Sequence, residues 1–225
     1  MTRTELVKKV AMKMDELSSS DEMNLNIGIE DNNPLIILIN GLLDESVNET
    51  LVAIPAHRCT YTKRLLSSNN DQKTSFSFSA KGNRRVLKVL FPDDFLRFVR
   101  LVSSYLSRDI ITLHGASDAI AIRQTNPHLM AGSTKPVAVM DNDANGGPCA
   151  KVYSYPSDAV LDKSPSATAF YYVPRVNGLT EDYIPSLDNY ITDIAAWVCA
   201  SKTFATQGDT QRSAACMQNA QSLMV

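Results

Sequence analysis

The stretch "VLFPDDFLRFVRL", residues 89–101, sets two adjacent carboxylates, Asp93 and Asp94, behind a proline and between two apolar runs. Carboxylates that share a proton or a metal must converge on one point. Adjacent side chains of an extended chain point to opposite faces instead. Pro92 fixes its own φ after an apolar run, and aspartate favours turns and first helical turns. The stretch therefore predicts that Phe91 ends one strand, that Pro92-Asp93-Asp94 turn, and that Leu96 opens the next run.

Around it, residues 58–180 carry short runs of strand length broken by turn residues. They are "TSFSFSA" (74–80), "RRVLKVLF" (84–91), "FLRFVRLVS" (95–103), "DIITL" (109–113), "AIAIR" (119–123), "KPVAVM" (135–140), "AKVYSY" (150–155) and "TAFYYVP" (168–174). "KGNR" (81–84) and "DNDANGGP" (141–148) are hairpin signals between neighbouring runs. A mostly antiparallel β domain is expected here.

Helical periodicity frames this region. Near the N-terminus Leu6, Val10, Met14 and Leu17 recur on one face, with Thr2 or Thr4 as cap and "SSSDE" (18–22) as stop. In "MNLNIGIEDN" (23–32), Leu25, Ile27 and Ile29 alternate as a brief extended segment would. "DNNPLIILINGLLDESVNETLVAIP" (31–55) predicts a helix capped by Asn32 or Asn33, with Pro34 in the first turn and Pro55 as stop. Its apolar stripe is Leu35, Ile39, Leu42, Leu43, Val47, Leu51 and Ile54. Gly41 in mid-helix costs about 1 kcal/mol relative to alanine, and a close helix contact is its expected compensation.

A third helix over 186–207 places Leu187, Tyr190, Ile191, Ile194, Val198 and Ser201 on one face, with Trp197 and Phe204 beside it. Gly208 suits a left-handed C-terminal position, and Asp209 or Thr210 caps a last helix whose inner side is Ala214, Met217, Ala220 or Gln221, and Met224. The fold class is α+β. A discontinuous helical bundle (1–57 and 181–225) carries an inserted, mostly antiparallel β domain (58–180).

Composition bounds the function. A net charge of −2 and a pI near 5.9 give no general attraction to nucleic acid or anionic lipid. The four cysteines, Cys59, Cys149, Cys199 and Cys216, are far apart and read as buried free thiols of a reducing compartment. His57 near Cys59 cannot close a zinc site, and His57, His114 and His128 each lack a motif partner. "NGGP" lacks the Lys-Ser/Thr and helix of a phosphate loop. "KGNRR" (81–85) reads as a solvated hairpin tip, and "FYY" (170–172) as core and surface packing on a strand. No leader or membrane span is visible, so a soluble protein made in a cytoplasm is expected. No catalytic, cofactor-binding or metal-binding residue is assigned.

Five segments, in order, resemble the head-to-tail adaptor, or connector-ring, proteins of short-tailed bacteriophages, with the crAss-like phages nearest. They are "MTRTELVKKVAMKMDE" (1–16), "NPLIILINGLLDESVNETLVAIPAHR" (33–58), "VLKVLFPDDFLRFVRL" (86–101), "NPHLMAGSTKPVAVM" (126–140) and "SAACMQNAQSLMV" (213–225). Phe91 stands where the family has leucine, and 59–75 has no counterpart.

The resemblance implies a non-enzymatic virion protein of the neck, assembled in the bacterial cytoplasm. It would form a ring, typically of twelve copies, between the portal protein and the next ring or tail protein. Genomic DNA would pass through its lumen unread, with no membrane contact. Leu6, Val10, Leu43, Val47, Ile194 and Trp197 would then pack subunit against subunit. Met217 and Met224 would form a docking element, or ordinary core of the same chain. The 81–85 and 141–148 loops would reach the neighbouring ring. The alternatives are a small α+β hydrolase or nuclease using Asp93 and Asp94 with a distant histidine, and a protein-binding module unrelated to phages.

Overall fold

In a computed structural model the described residues are 2–15, 33–67, 75–81, 84–126, 128–132, 134–155, 168–179 and 187–224. Leu17 and the 23–32 segment lie outside them. The helices are α1 (Arg3–Asp15), α2 (Pro34–Ala53), α3 (Ala119–Arg123), α4 (Asn189–Thr206) and α5 (Thr210–Met224). The strands are β1 (Lys63–Leu66), β2 (Phe76–Lys81), β3 (Arg84–Leu90), β4 (Phe95–Val102), β5 (Leu113–His114), β6 (Val137–Asn142), β7 (Pro148–Tyr155) and β8 (Ala169–Pro174). The fold is α+β. It divides into a helical unit, Met1–Tyr61 with Arg175–Val225, and a β unit, Thr62–Pro174. These boundaries differ by four to six residues from the expected 57/58 and 180/181.

In the helical unit α4 touches α1, α2 and α5 and is buried on nearly every side from Ile191 to Phe204. Asn33 caps α2 by accepting from the Leu35 N–H at 2.9 Å, with Pro34 following, and Pro55 stands just beyond its end. The buried stripe of α2 runs Ile36, Ile39, Leu43, Val47 and Leu51. Leu35 and Leu42 are only half-buried, so Ile36 takes the first core position in place of Leu35. Buried Ser46 and Thr50 turn their hydroxyls back onto the Leu42 and Ser46 carbonyls, at 2.7 and 2.8 Å. That removes the desolvation cost of an unpaired hydroxyl.

The expected close contact at Gly41 is not made. A side chain there would meet nothing within 4 Å, and the residue faces outward. Its helix-propensity cost is not offset inside the helical unit.

Asp188 caps α4 through the Ile191 N–H, and Gly208 ends it at φ +83°. Asp209 then caps α5 by accepting from Arg212 N–H at 3.0 Å. The inner face of α5 is Cys216 and Ala220. Ala214, expected inside, is exposed, and of the alternatives Ala220 and Gln221 it is Ala220 that is buried. The irregular segment 175–179 that follows β8 is strapped to α2. The Asn48 side chain donates to Val176 O and accepts from Val176 N, both at 2.8 Å, and Asp44 accepts from the Gly178 and Leu179 N–H groups.

All four cysteines are free and buried. Burial pushes the Cys199 and Cys216 thiols up to about 11 and raises that of Cys149. Thiolate is the reactive form, so these three thiols resist alkylation at neutral pH. Mass spectrometry after iodoacetamide treatment should find them unmodified in the native chain and labelled after denaturation.

The β unit packs a three-stranded sheet, order β1-β8-β4, against a five-stranded one, order β2-β3-β7-β6-β5. All pairs are antiparallel except β5 with β6. Leu65, Leu101, Phe170 and Tyr172 of the first sheet meet Leu87, Val89, Ala150 and Val152 of the second. At one end a buried polar cluster joins them. Tyr155 OH and Thr168 Oγ1 are 3.2 Å apart, Thr168 Oγ1 donates to Ser103 Oγ, and Ser67 Oγ accepts from Thr168 N–H. Burial pushes the Tyr155 phenol up to about 12, so it stays a neutral donor.

Two expectations fail within the β unit. "AIAIR" is the short helix α3, not a strand. Alternation would hide Ile120 and Ile122, yet Ala121 is the buried residue and both isoleucines are exposed. In "DIITL" only Leu113 joins a strand, which continues to His114. Strand β1 had no expected run at all.

Lys88 and Lys151 face each other across β3 and β7, a pairing that by itself repels. Asp143 and Asp141 of the neighbouring hairpin answer them, at 2.5 and 2.6 Å. The hydrogen bond from Lys151 holds the Asp141 carboxyl below its ordinary range. That stabilisation is present above the usual carboxylate pKa and is lost as pH falls through the depressed one. Acid titration should therefore cost Asp141→Asn less stability than the parent, read by thermal melting.

Candidate functional site

Chain direction at the aspartate pair is set by a corner. β3 belongs to the five-stranded sheet and β4 to the three-stranded one, and Pro92-Asp93-Asp94 carries the chain between them. The Phe95 N–H closes the turn on Pro92 O at 2.9 Å, and the Phe91 and Phe95 rings stack across it with centroids 4.0 Å apart. Asp94 accepts from Tyr172 OH at 3.0 Å and pairs with Lys63 at 2.7 Å, while Asp93 is exposed. The carboxylates do not converge. Asp94 ties β1 and β8 to the β4 corner. Asp94→Asn should lower stability by about 1 kcal/mol and Asp93→Asn by less than about 0.5, measured by urea unfolding.

The corner also orders the next strand. "FLRFVRL" repeats every third residue, which does not match a plain strand. Two register shifts, between Phe95 and Arg97 and between Phe98 and Arg100, absorb the extra residues. Phe95, Phe98 and Leu101 consequently all face the core, and Arg97 and Arg100 share the opposite face. On that face Tyr171 of β8 stands in register with Arg64 of β1 on one side and Arg100 of β4 on the other. The Arg100 guanidinium lies 4.6 Å from the Tyr171 ring centroid. Arg64 and Arg100 are exposed, and Arg97, opposite Val173, is half-buried. An arginine–tyrosine–arginine row thus crosses the outer face of the three-stranded sheet. Asp109 lies 3.9 Å from Arg100.

A second surface lies at the β5 edge of the other sheet. A cleft of about 360 Å³ there is lined by Arg108, Ile111, His114, Ile120, Lys135 and Val137, among others. Ile111 is 75% exposed. His114 Nδ1 sits 3.6 Å from Asp118, and His57 and His128 are exposed. Among the described residues no three His, Cys, Asp or Glu side chains gather as a metal site, and no described helix is long and apolar enough to cross a membrane.

The residues expected to join subunits lie elsewhere. Leu6, Val10, Leu43, Val47 and Ile194 are fully enclosed and Trp197 is 7% exposed, all within the helical unit of one chain. They make its own core, because α4 packs between α1, α2 and α5 and uses up those faces. Met217 and Met224 remain half-exposed on α5. Of the loop calls, 82–83 fall outside the described residues. The 141–148 segment is the β6–β7 hairpin, turning at Gly146 with φ +81°.

The sheet-face arginines escaped sequence reading because the bulges that align them are invisible in a one-dimensional pattern. Charge was the available signal. The β unit holds 14 Lys and Arg against 9 Asp and no Glu, a net of +5. The helical unit holds 8 against 15, a net of −7. The total of −2 conceals both. No protein-family model matches the sequence, and no curated protein matches it.

Proposed function

We propose that the chain is a structural subunit of a head-to-tail connector ring of a short-tailed bacteriophage. In that role it docks below the portal protein, extends the DNA channel and offers an attachment surface to the next ring or tail protein. The reading rests on the resemblance of the five segments named above. The opposite net charges of the two units are the structural observation that supports it most. Ring closure is heterologous, so each subunit needs two unlike, mutually complementary faces. A unit of +5 and a unit of −7 supply such faces, and unlike charge steers association and fixes register.

Exposed apolar side chains stand on both units. The helical unit shows Met12, Ile37, Val52 and Leu223, and the β unit shows Ile111, Ile120, Ile122, Leu129 and Met140. These, with half-exposed Met217 and Met224, replace the buried leucines and valines as candidate contacts between copies. Light scattering of the purified chain mixed with the portal protein of the same genome tests the role. The mass should rise from 24.7 kDa per chain to a multi-copy complex at low salt and fall back at high salt. A chain that stays monomeric with portal present at every salt concentration would contradict it.

A further inference from the structure

We infer that the outer face of the three-stranded sheet binds the phosphate backbone of nucleic acid, through Arg64 and Arg100. The site lies inside one β unit, so the inference holds whether or not rings form. If they do, it assigns the surface that meets the DNA.

Three observations carry it. The unit is basic by five charges, although the whole chain is slightly acidic. Next, the face is built from arginines and not lysines. The lysine ion pairs of the described residues are closed within the chain: Lys9 on Asp193, Lys63 on Asp94, Lys88 on Asp143, Lys151 on Asp141, and Lys202 on Glu45 and Glu49. On the sheet face Arg100 makes a long contact with Asp109, at 3.9 Å. Arginine's planar fork matches phosphate oxygens two at a time.

Geometry supplies the third observation. Strands stand ~4.8 Å apart, so Arg64 and Arg100 straddle Tyr171 at ~10 Å. Tyr171 is a positioning residue. Its ring lies against the Arg100 guanidinium, a cation–π contact that restrains the group on this face.

A protein partner is the competing occupant. Protein interfaces centre on buried apolar and aromatic side chains. The exposed large apolar residues of the β unit, Ile111, Ile120, Ile122, Leu129 and Met140, all lie off this sheet. The arginine face therefore suits a polyanion with little apolar surface.

Fluorescence anisotropy with a labelled mixed-sequence DNA duplex tests the inference on the full chain over a range of salt. Two exposed arginines predict a log–log salt slope of about −2. Arg64→Ala/Arg100→Ala should weaken binding at least about tenfold at low salt and shrink the slope by about 2. Tyr171→Ala keeps every charge, so it should weaken binding several-fold with the slope unchanged. Lys8→Ala/Arg123→Ala removes the same charge from two exposed positions elsewhere and should bind as the parent does. Trp197 emission and far-UV circular dichroism confirm folding of each variant. No binding at low salt overturns the inference, as does an equal loss in both double variants. Poly-glutamate of matched charge that displaces DNA one for one also overturns it, because the face would then take acidic protein. Ring formation is read separately by light scattering, so either reading can fail alone.

Discussion

Phe170→Ala should be the most damaging single substitution in the β unit, costing about 3–5 kcal/mol. Phe170 is fully buried on the central strand β8, paired with Leu65 on one side and Leu101 on the other. Phe91, Phe95, Phe98 and Tyr172 all place their rings within 5.4–6.2 Å of it. Removing the ring leaves a cavity whose walls are held by two sheets and cannot collapse onto it. Aromatic pairs of this kind add about 0.5–1.5 kcal/mol each beyond area burial. Far-UV circular dichroism should show strand signal melting well below the parent. Phe91→Leu, which trims one edge ring of the same cluster, should cost far less. Equal effects from the two would show that Phe170 is not the centre of the core.

Leu43→Ala carries the second large effect, about 2–5 kcal/mol, and it discriminates between two roles for the same residue. Leu43 is fully enclosed on the inner stripe of α2, among Ile39, Val47 and the residues of α4. A core position predicts a loss of monomer stability that does not depend on protein concentration. A subunit contact would instead leave the monomer intact and weaken assembly. Trp197 is the single tryptophan and sits in the same helical unit, so its emission follows this unfolding directly. Urea midpoints at two protein concentrations separate the cases. Ile37→Asp, on the exposed side of α2, is predicted to show the opposite pattern, with stability nearly unchanged and assembly weakened.

These two residues also mark how much the sequence disclosed. Helix α2 was readable in outline because each signal was local. Asn33 capping, Pro34 in the first turn and the stop at Pro55 all act within a few residues. The partner of its apolar stripe was not readable. Leu43 could as well have met a second subunit, and only the placement of α4 between three helices decides against it. Gly41 misled for a related reason. A glycine in a helix signals close approach, and the approach is not made within the unit.

In the β unit the corner at Pro92-Asp93-Asp94 was legible, since proline and aspartate impose their own geometry. Its consequence was not. The corner changes sheets, and the bulges after it turn a three-residue repeat into a sheet with arginines on one side and phenylalanines on the other. "AIAIR" shows the reverse error, where alternation over five residues fits a strand and a helix equally well. The basic character of the β unit was present in the sequence throughout. It became visible once the boundaries at Thr62 and Pro174 were drawn.

Negative-stain electron microscopy of the purified chain combined with the portal protein of the same genome tests the proposed role most directly. Closed rings of this chain stacked on the portal, with a rotational symmetry matching it, are the predicted result. Portal particles that remain bare while the chain stays monomeric would contradict it.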